Sequence, residues 1–280
     1  MIKFLLKKLS LIFLIFCLQN FLYCLEQKIV VITASYNNAR FINIPGKGQM
    51  RTCQWNLSTI FNQNYSNYEI RYRDDNSNDG TDVYVQDFVT ENNMWSKVKF
   101  VRNNQNLGAL QNQYEEIMSC DDNDIIVIVD GDDGIAHKDV FKFLNNVYSD
   151  PKIWLTYGQY RELHSCNIGF CCPMPYDVVR NNAFRGYSNI PSHLRTCRAW
   201  LFKKIQKEHL MLDGKFLRMT GDMATWIPMI EMASCGHFKF IPEVLLTYND
   251  TNPISDHHKD VGMQRRIDRY VRSLPVYNPL

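Results

Sequence analysis

Two groups of carboxylates carry the chemistry that can be read first: Asp74-Asp75, and the run Asp130-Gly131-Asp132-Asp133. Each follows an apolar, β-forming run, YEIRY at 68–72 and IIVIV at 125–129. Carboxylates gathered at strand ends suit hard divalent cations, which take oxygen ligands and bridge to phosphate. For Asp74-Asp75 alone turn formation is the better account, because Asp and Asn make turns after strands. In the second group three acids crowd one loop, and their repulsion must be offset by a cation or by hydrogen bonds. That crowding points to ligand chemistry.

The elements that must position these acids follow from periodicity. Ile29 to Thr33 is a β-branched run ending in a polar, turn-forming cluster, a buried strand feeding a loop. Trp55, Leu57, Ile60 and Phe61 recur with helical spacing inside residues 50–62. The strand at 68–72 stops at DDNSNDGT; a helix over 81–91, a short strand at 98–101 and a helix over 109–118 continue the alternation. Polar loops at the C-terminal ends of alternating strands predict an α/β fold, a mainly parallel central sheet with helices on both faces. Ligands in such sheets bind at those strand ends. After Asp150-Pro151 the rhythm changes. A strand is expected at 154–157, then an irregular stretch through Pro191, helices over 196–207 and 222–233, and strands at 238–241 and about 244–248. No Gly/Ser-rich linker or internal repeat separates the halves, so residues 28–280 read as a single domain.

In this order and at these intervals, TASYNN (33–38), DDNSNDGT (74–81), NLG (106–108) and IVIVDGDDG (126–134) resemble a family 2 glycosyltransferase with the GT-A fold, the nucleotide-diphospho-sugar transferase fold. The resemblance implies a nucleotide-sugar-binding half over 28–140, where the likeness is good, and an acceptor-binding half over 141–280, where it fades. It implies a nucleotide-sugar donor, a UDP-sugar, held across the strand ends. Thr33, Ser35 and Tyr36 would line the nucleotide pocket, with Tyr36 near the base, and Asp75 would accept a hydrogen bond from the uracil imide. Asn106 and Gly108 join the same cofactor-binding set. The family's DxD element falls on Asp130, Gly131 and Asp132: Asp130 near the ribose and metal, Asp132 a metal ligand, Asp133 a contact to the sugar. Mn²⁺ or Mg²⁺ there would neutralise the departing diphosphate.

An inverting transfer also needs a base for the acceptor hydroxyl. In the family this is usually the Asp of a Glu-Asp pair heading a helix, with a Trp four residues on. Asp222 and Trp226 match, and Gly221 stands where the Glu would be. An N-cap is the other, compatible role for Asp222. The resemblance further implies a late histidine ligand, assigned to His257 within a stretch that also offers Asp256 and His258; a pair of exposed loop histidines is the plain alternative. Arg195 and Arg198, or Arg265 and Arg266, could meet the diphosphate, and solvated helix faces explain them as well. His164, His193, His209 and His237 show no metal spacing and read as structural.

The chain of 280 residues is 45% hydrophobic and 21% charged, enough to bury a sizeable core and too apolar for disorder. Its formal charge of +2 includes Lys3, Lys7 and Lys8; without those three of the 31 basic residues, 28 face 29 acids. A near-neutral body argues against a nucleic-acid footprint. The three lysines precede an apolar run over 9–25, so residues 1–25 read as a secretory signal peptide. That route predicts a periplasmic or secreted protein, and a signal anchor giving membrane association is the alternative. Seven of the nine cysteines lie beyond this leader; in an oxidising compartment some should pair, within the cluster from Cys166 to Cys197, with the connectivity open. Zinc is disfavoured because no CxxC pair is present. Asn56, Asn64 and Asn249 head glycosylation sequons.

The reading is therefore an inverting, metal-dependent transfer of a sugar to a hydroxyl on a glycan, protein or lipid acceptor. A non-catalytic nucleotide-sugar-binding protein and a sugar-phosphate nucleotidyltransferase are the alternatives. The latter usually carries a Gly-rich, basic loop after its first strand, and TASYNN lacks one.

Overall fold

A computed structural model describes residues 26–188, 191–253 and 261–280. The leader, and with it the signal or anchor expectation, lies outside them, as do Asp256, His257 and His258. Among the described residues no helix is long and apolar enough to cross a membrane.

In chain order the strands are β1 (Ile29–Ser35), β2 (Phe41–Ile44), β3 (Gly48–Arg51), β4 (Tyr68–Asp74), β5 (Val98–Arg102), β6 (Ile125–Ile128), β7 (Gly134–Ile135), β8 (Leu155–Glu162), β9 (Arg195–Arg198), β10 (Met211–Leu212), β11 (Lys215–Phe216) and β12 (Phe238–Tyr248). Eight of them build one sheet in the order β5-β4-β1-β6-β9-β8-β12-β7. It is mainly parallel: β9 runs against β6 and β8, and β7 against β12. β1 sits between β4 and β6, so the chain leaves it in opposite directions on its two sides. That reversal opens a crevice at the C-terminal ends of these strands.

β1 and β6 are continuous apolar runs because both of their faces are covered. Val30, Ile32, Ile126 and Ile128 enter one core with the helices Ala109–Met118, Ala199–Lys203, Gly221–Met232 and Val261–Ser273. Ile29, Val31, Ile125 and Val127 enter the other, with the helices Thr52–Phe61, Thr81–Glu91 and Val140–Tyr148. The period-2 alternation of a strand thus divides each run between two cores.

Four expectations need correction. The helix expected within 50–62 starts at Thr52, and the preceding residues form the hairpin β2–β3, whose Ile42 and Ile44 pack on Trp55 and Leu163. Residues 196–207 are not one helix: Arg195–Arg198 is a strand wedged between β6 and β8, and the helix that follows has only five residues. Tertiary pairing overrides the local helical pattern there. The two strands expected near 238–248 are one, β12, with register shifts around Pro242, which cannot donate to the ladder. The expected disulfides are absent among the described residues: Cys53, Cys120, Cys166, Cys171, Cys172, Cys197 and Cys235 are all free thiols. Cys197 is sealed in the core on β9, and burial pushes the Cys120 thiol up to about 11.

Candidate active site

The polar strings at the strand ends hold one another. Ser77 Oγ accepts the Asn37 backbone N–H at 2.9 Å, Thr81 Oγ1 that of Asn38 at 2.8 Å, and Asp79 Oδ2 that of Ala39 at 2.9 Å. The Asp75 N–H donates to the Ser35 carbonyl at 2.8 Å. Asp75 then reaches the NLG turn, where its carboxylate accepts the N–H groups of Leu107 and Gly108, each at 2.8 Å, and the side-chain amide of Asn103 at 2.8 Å. Asn106 Nδ2 donates to the Asp75 carbonyl at 3.1 Å, and Asn106 also pairs with Arg218. Asp74 is fully buried, accepts the Ser77 N–H at 3.1 Å, and has its carboxyl pushed up by burial. It is a turn-maker.

Thr33 is fully buried on β1 beneath this layer, so it lines no open surface; Ser35 is buried and receives the Asn38 side-chain amide at 2.9 Å. Tyr36 is partly exposed on the loop above.

The acidic loop is set against the end of β1 by its glycine. A Cβ on Gly131 would lie 2.5 Å from Ser35 Cβ and 2.9 Å from its Cα, so only glycine allows this approach. The Gly131 N–H donates to the Ala34 carbonyl at 3.1 Å. From the opposite side, fully buried Asn56 donates its side-chain amide to the carbonyls of Asp130 (3.0 Å) and Asp133 (2.7 Å). That burial removes Asn56 from any glycosylation role, and Asn249 is equally enclosed.

Asp130, Asp133 and His193 converge, with one potential ligand atom from each lying within 4.8 Å of the others. Asp133 is buried, and Asp133 Oδ2 and His193 Nδ1 are both enclosed without a hydrogen-bond partner. Burial first, then the neighbouring Asp132 and Asp130 charges, push the Asp133 carboxyl well above the usual carboxylate range. Burial, then Arg195, hold the His193 imidazole well below its ordinary value, so this histidine is neutral. Two carboxylates and a neutral imidazole, two of them with an unsatisfied lone pair, fit Mn²⁺ or Mg²⁺. Asp132 is engaged by Asn252 Nδ2.

Asp222 is the second residue of the helix Gly221–Met232, whose N-cap is Thr220, so Asp222 is not the cap. Its Oδ1 accepts the Met223 N–H at 2.8 Å, and its side chain is 41% exposed, open to a substrate. Arg195 joins it to the acidic loop: Nη1 lies 3.2 Å from Asp222 Oδ2, and Nη2 lies 3.9 Å from Asp130 Oδ2. The guanidinium sits 5.7 Å from the Trp226 ring. Arg198 is at the wrong end of the sheet, because β9 pairs Arg195 with Ile128 and Arg198 with Ile125. It donates instead to the carbonyls of Asn123 and Tyr148.

Residues 55–163, which carry the Asp75, NLG and acidic-loop motifs, match the family model described as glycosyl transferase family 2. Over this segment the chain is similar to glycosyl transferase family 2. Among solved structures, the chain resembles S. aureus TarS at 15% identity and a TM-score of 0.53, covering 80% of this chain and 37% of that one. It resembles S. aureus TarS 1–349 in complex with UDP at 15% identity and a TM-score of 0.55, covering 80% and 60%. The mannosyltransferase PcManGT from Pyrobaculum calidifontis, in complex with GDP-Man and Mn²⁺, aligns at 17% identity with a TM-score of 0.54, covering 82% and 59%. At these identities the likeness is one of fold, GT-A, and the chain spans between 37% and 60% of their lengths. No curated protein matches the sequence.

The family 2 motifs do not include His193 or Arg195, and the reason is topological. Continuing the antiparallel register of Ile128 with Arg195 by two positions sets His193 opposite Asp130. Reading residues 196–207 as a helix hid that pairing; the signal available was the short alternating stretch HLRTC before the apolar cluster.

Proposed function

We propose that the chain is an inverting, metal-dependent glycosyltransferase that moves a sugar from a UDP-sugar to an acceptor hydroxyl on a glycan, protein or lipid. The observation that carries this reading is the Arg195 bridge, which sets the exposed carboxylate of Asp222 beside the loop of Asp130 and Asp133. UDP in a TarS structure and GDP-Man with Mn²⁺ in PcManGT support a nucleotide-sugar donor and a divalent cation. Asp130, Asp133 and His193 would hold the cation, with Asp132 adjacent and His257, which follows Asn252 in the sequence, as a further ligand. Bound there, Mn²⁺ or Mg²⁺ supplies charge neutralisation for the leaving diphosphate.

The chain's own groups divide the remaining work. Asp222 takes the proton of the acceptor hydroxyl, and the Met223 N–H and Arg195 hold its carboxylate in one orientation. Arg195, buried and cationic, offers the donor's phosphates a second positive group. Ser35, Tyr36, Asp75 and the Asn106–Gly108 turn form the nucleotide side. A secretory leader over residues 1–25 would deliver the enzyme to luminal, periplasmic or extracellular acceptors.

Donor hydrolysis and transfer with Mn²⁺ and a panel of UDP-sugars test the proposal. Asp222→Asn should lower kcat by at least about 10²-fold, the scale of general-base loss, while calorimetric UDP binding stays near wild type. Turnover unchanged by this substitution would refute the assignment of the base. UDP binding without turnover of any donor in the wild type would favour the non-catalytic binder.

A further inference from the structure

The loop after β12 touches the acidic loop twice. Asn252 Nδ2 donates to Asp132 Oδ2, and the Asn249 backbone N–H donates to Asp133 Oδ1 at 2.9 Å; both asparagines are buried. Between them, Asp250 is held by a different partner. Its carboxylate accepts the backbone N–H groups of His164 (3.1 Å) and Ser165 (3.2 Å) and lies 3.1 Å from Nδ1 of the His164 ring. The other ring nitrogen, Nε2, lies 3.1 Å from the Asn43 carbonyl in the β2–β3 hairpin. A carbonyl and an ionised carboxylate only accept, so both contacts are hydrogen bonds together only when both ring nitrogens carry hydrogen. A neutral imidazole satisfies one of them.

We propose that His164 and Asp250 form a clamp that ties the β2–β3 hairpin to the Asn249–Asn252 loop and thereby positions Asp132 and Asp133. His164 is a positioning residue, and the inference rests on the reading that these carboxylates surround a divalent cation. The hairpin faces it with the Asn43 carbonyl and the loop with the Asp250 carboxylate. On its own turn Glu162 is engaged by Ser165 Oγ and Asn167 Nδ2.

Calorimetric titration of Mn²⁺ alone into the full chain reads the effect, beside hydrogen exchange of the Asn249 amide in the metal-free chain. His164→Gln and Asp250→Asn should each weaken Mn²⁺ binding by about 3- to 10-fold, the lower end of outer-shell effects, and the double variant should be no worse than either single. The Asn249 amide should exchange faster in both.

Wild-type Mn²⁺ affinity and Asn249 exchange in both variants, with binding lost in Asp133→Asn, would overturn the clamp while leaving the cation site standing. Wild-type Mn²⁺ binding in Asp133→Asn would instead refute the cation reading. Asn249 exchange then judges the clamp alone, faster in the variants supporting it and unchanged overturning it. If His164→Gln fails to fold, Asp250→Asn, nearly identical in shape, carries the same comparison.

Discussion

Asp133 is the most strained charge in the site, and its strain has a chemical reading. A buried carboxylate beside two other acids is stable only as a neutral acid or with a cation against it. The unpartnered His193 Nδ1 in the same cluster favours the cation, since a neutral imidazole offers a lone pair and no charge. Asp133→Asn and His193→Ala should each weaken Mn²⁺ binding by more than about 10-fold, while Asn64→Ala on the far exposed turn should not. Calorimetry with Mn²⁺ checks this without any turnover. Asp130, Asp132 and Asp133 were legible as a candidate site from their crowding alone. The choice of which oxygens converge was not, because it depends on where Asn252, Asn249 and Asn56 send their hydrogen bonds.

At the scale of elements, the helix Thr52–Phe61 does more than cover the sheet. It delivers Asn56, whose single amide group holds both ends of the acidic loop. Asn56→Ala leaves two inward carbonyls without their donor and should cost about 1–3 kcal/mol of stability, read by urea denaturation, together with weaker Mn²⁺ binding. A variant as stable as wild type would mean that water replaces the amide. The strands β1, β4 and β6 and the helices at 81–91 and 109–118 were readable because their apolar spacing is strong and their ends carry turn-forming residues. β9 was not, because four residues held between two partner strands owe their conformation to the pairing and not to local preference. The short hairpin β2–β3 was missed for a related reason: besides the nearby Trp55 it packs on Leu163, far away in sequence.

Across the whole molecule, the C-terminal segment locks the helix that bears Asp222. Fully buried Glu231 near its end accepts Arg185 Nη2 at 2.9 Å and the Tyr277 N–H at 3.0 Å, and the Leu280 N–H donates to the Met232 carbonyl at 3.0 Å. Glu231→Ala would leave the Arg185 cation buried without its partner and should destabilise the protein by about 3–5 kcal/mol in denaturant unfolding. The clamp at Asp250 has a pH signature. Burial opposes ionisation there, but the His164 ring and the N–H groups of His164 and Ser165 outweigh it, holding the carboxyl below its ordinary value. A depressed folded pKa contributes stability above the unfolded value of about 3.9, and that stability is lost as pH falls through the folded value. Asp250→Asn should thus lower the melting temperature at pH 7 by a contribution of no more than about 1 kcal/mol, a gap that closes below about pH 4. By itself the sequence determined the alternating core of the first half, the four polar strings and their place at strand ends, because those follow from side-chain period and turn chemistry. Only the tertiary structure decided that His193 and Arg195 come from the second half to meet Asp130 and Asp222. Long-range register brought them there, and local preference carries no record of it.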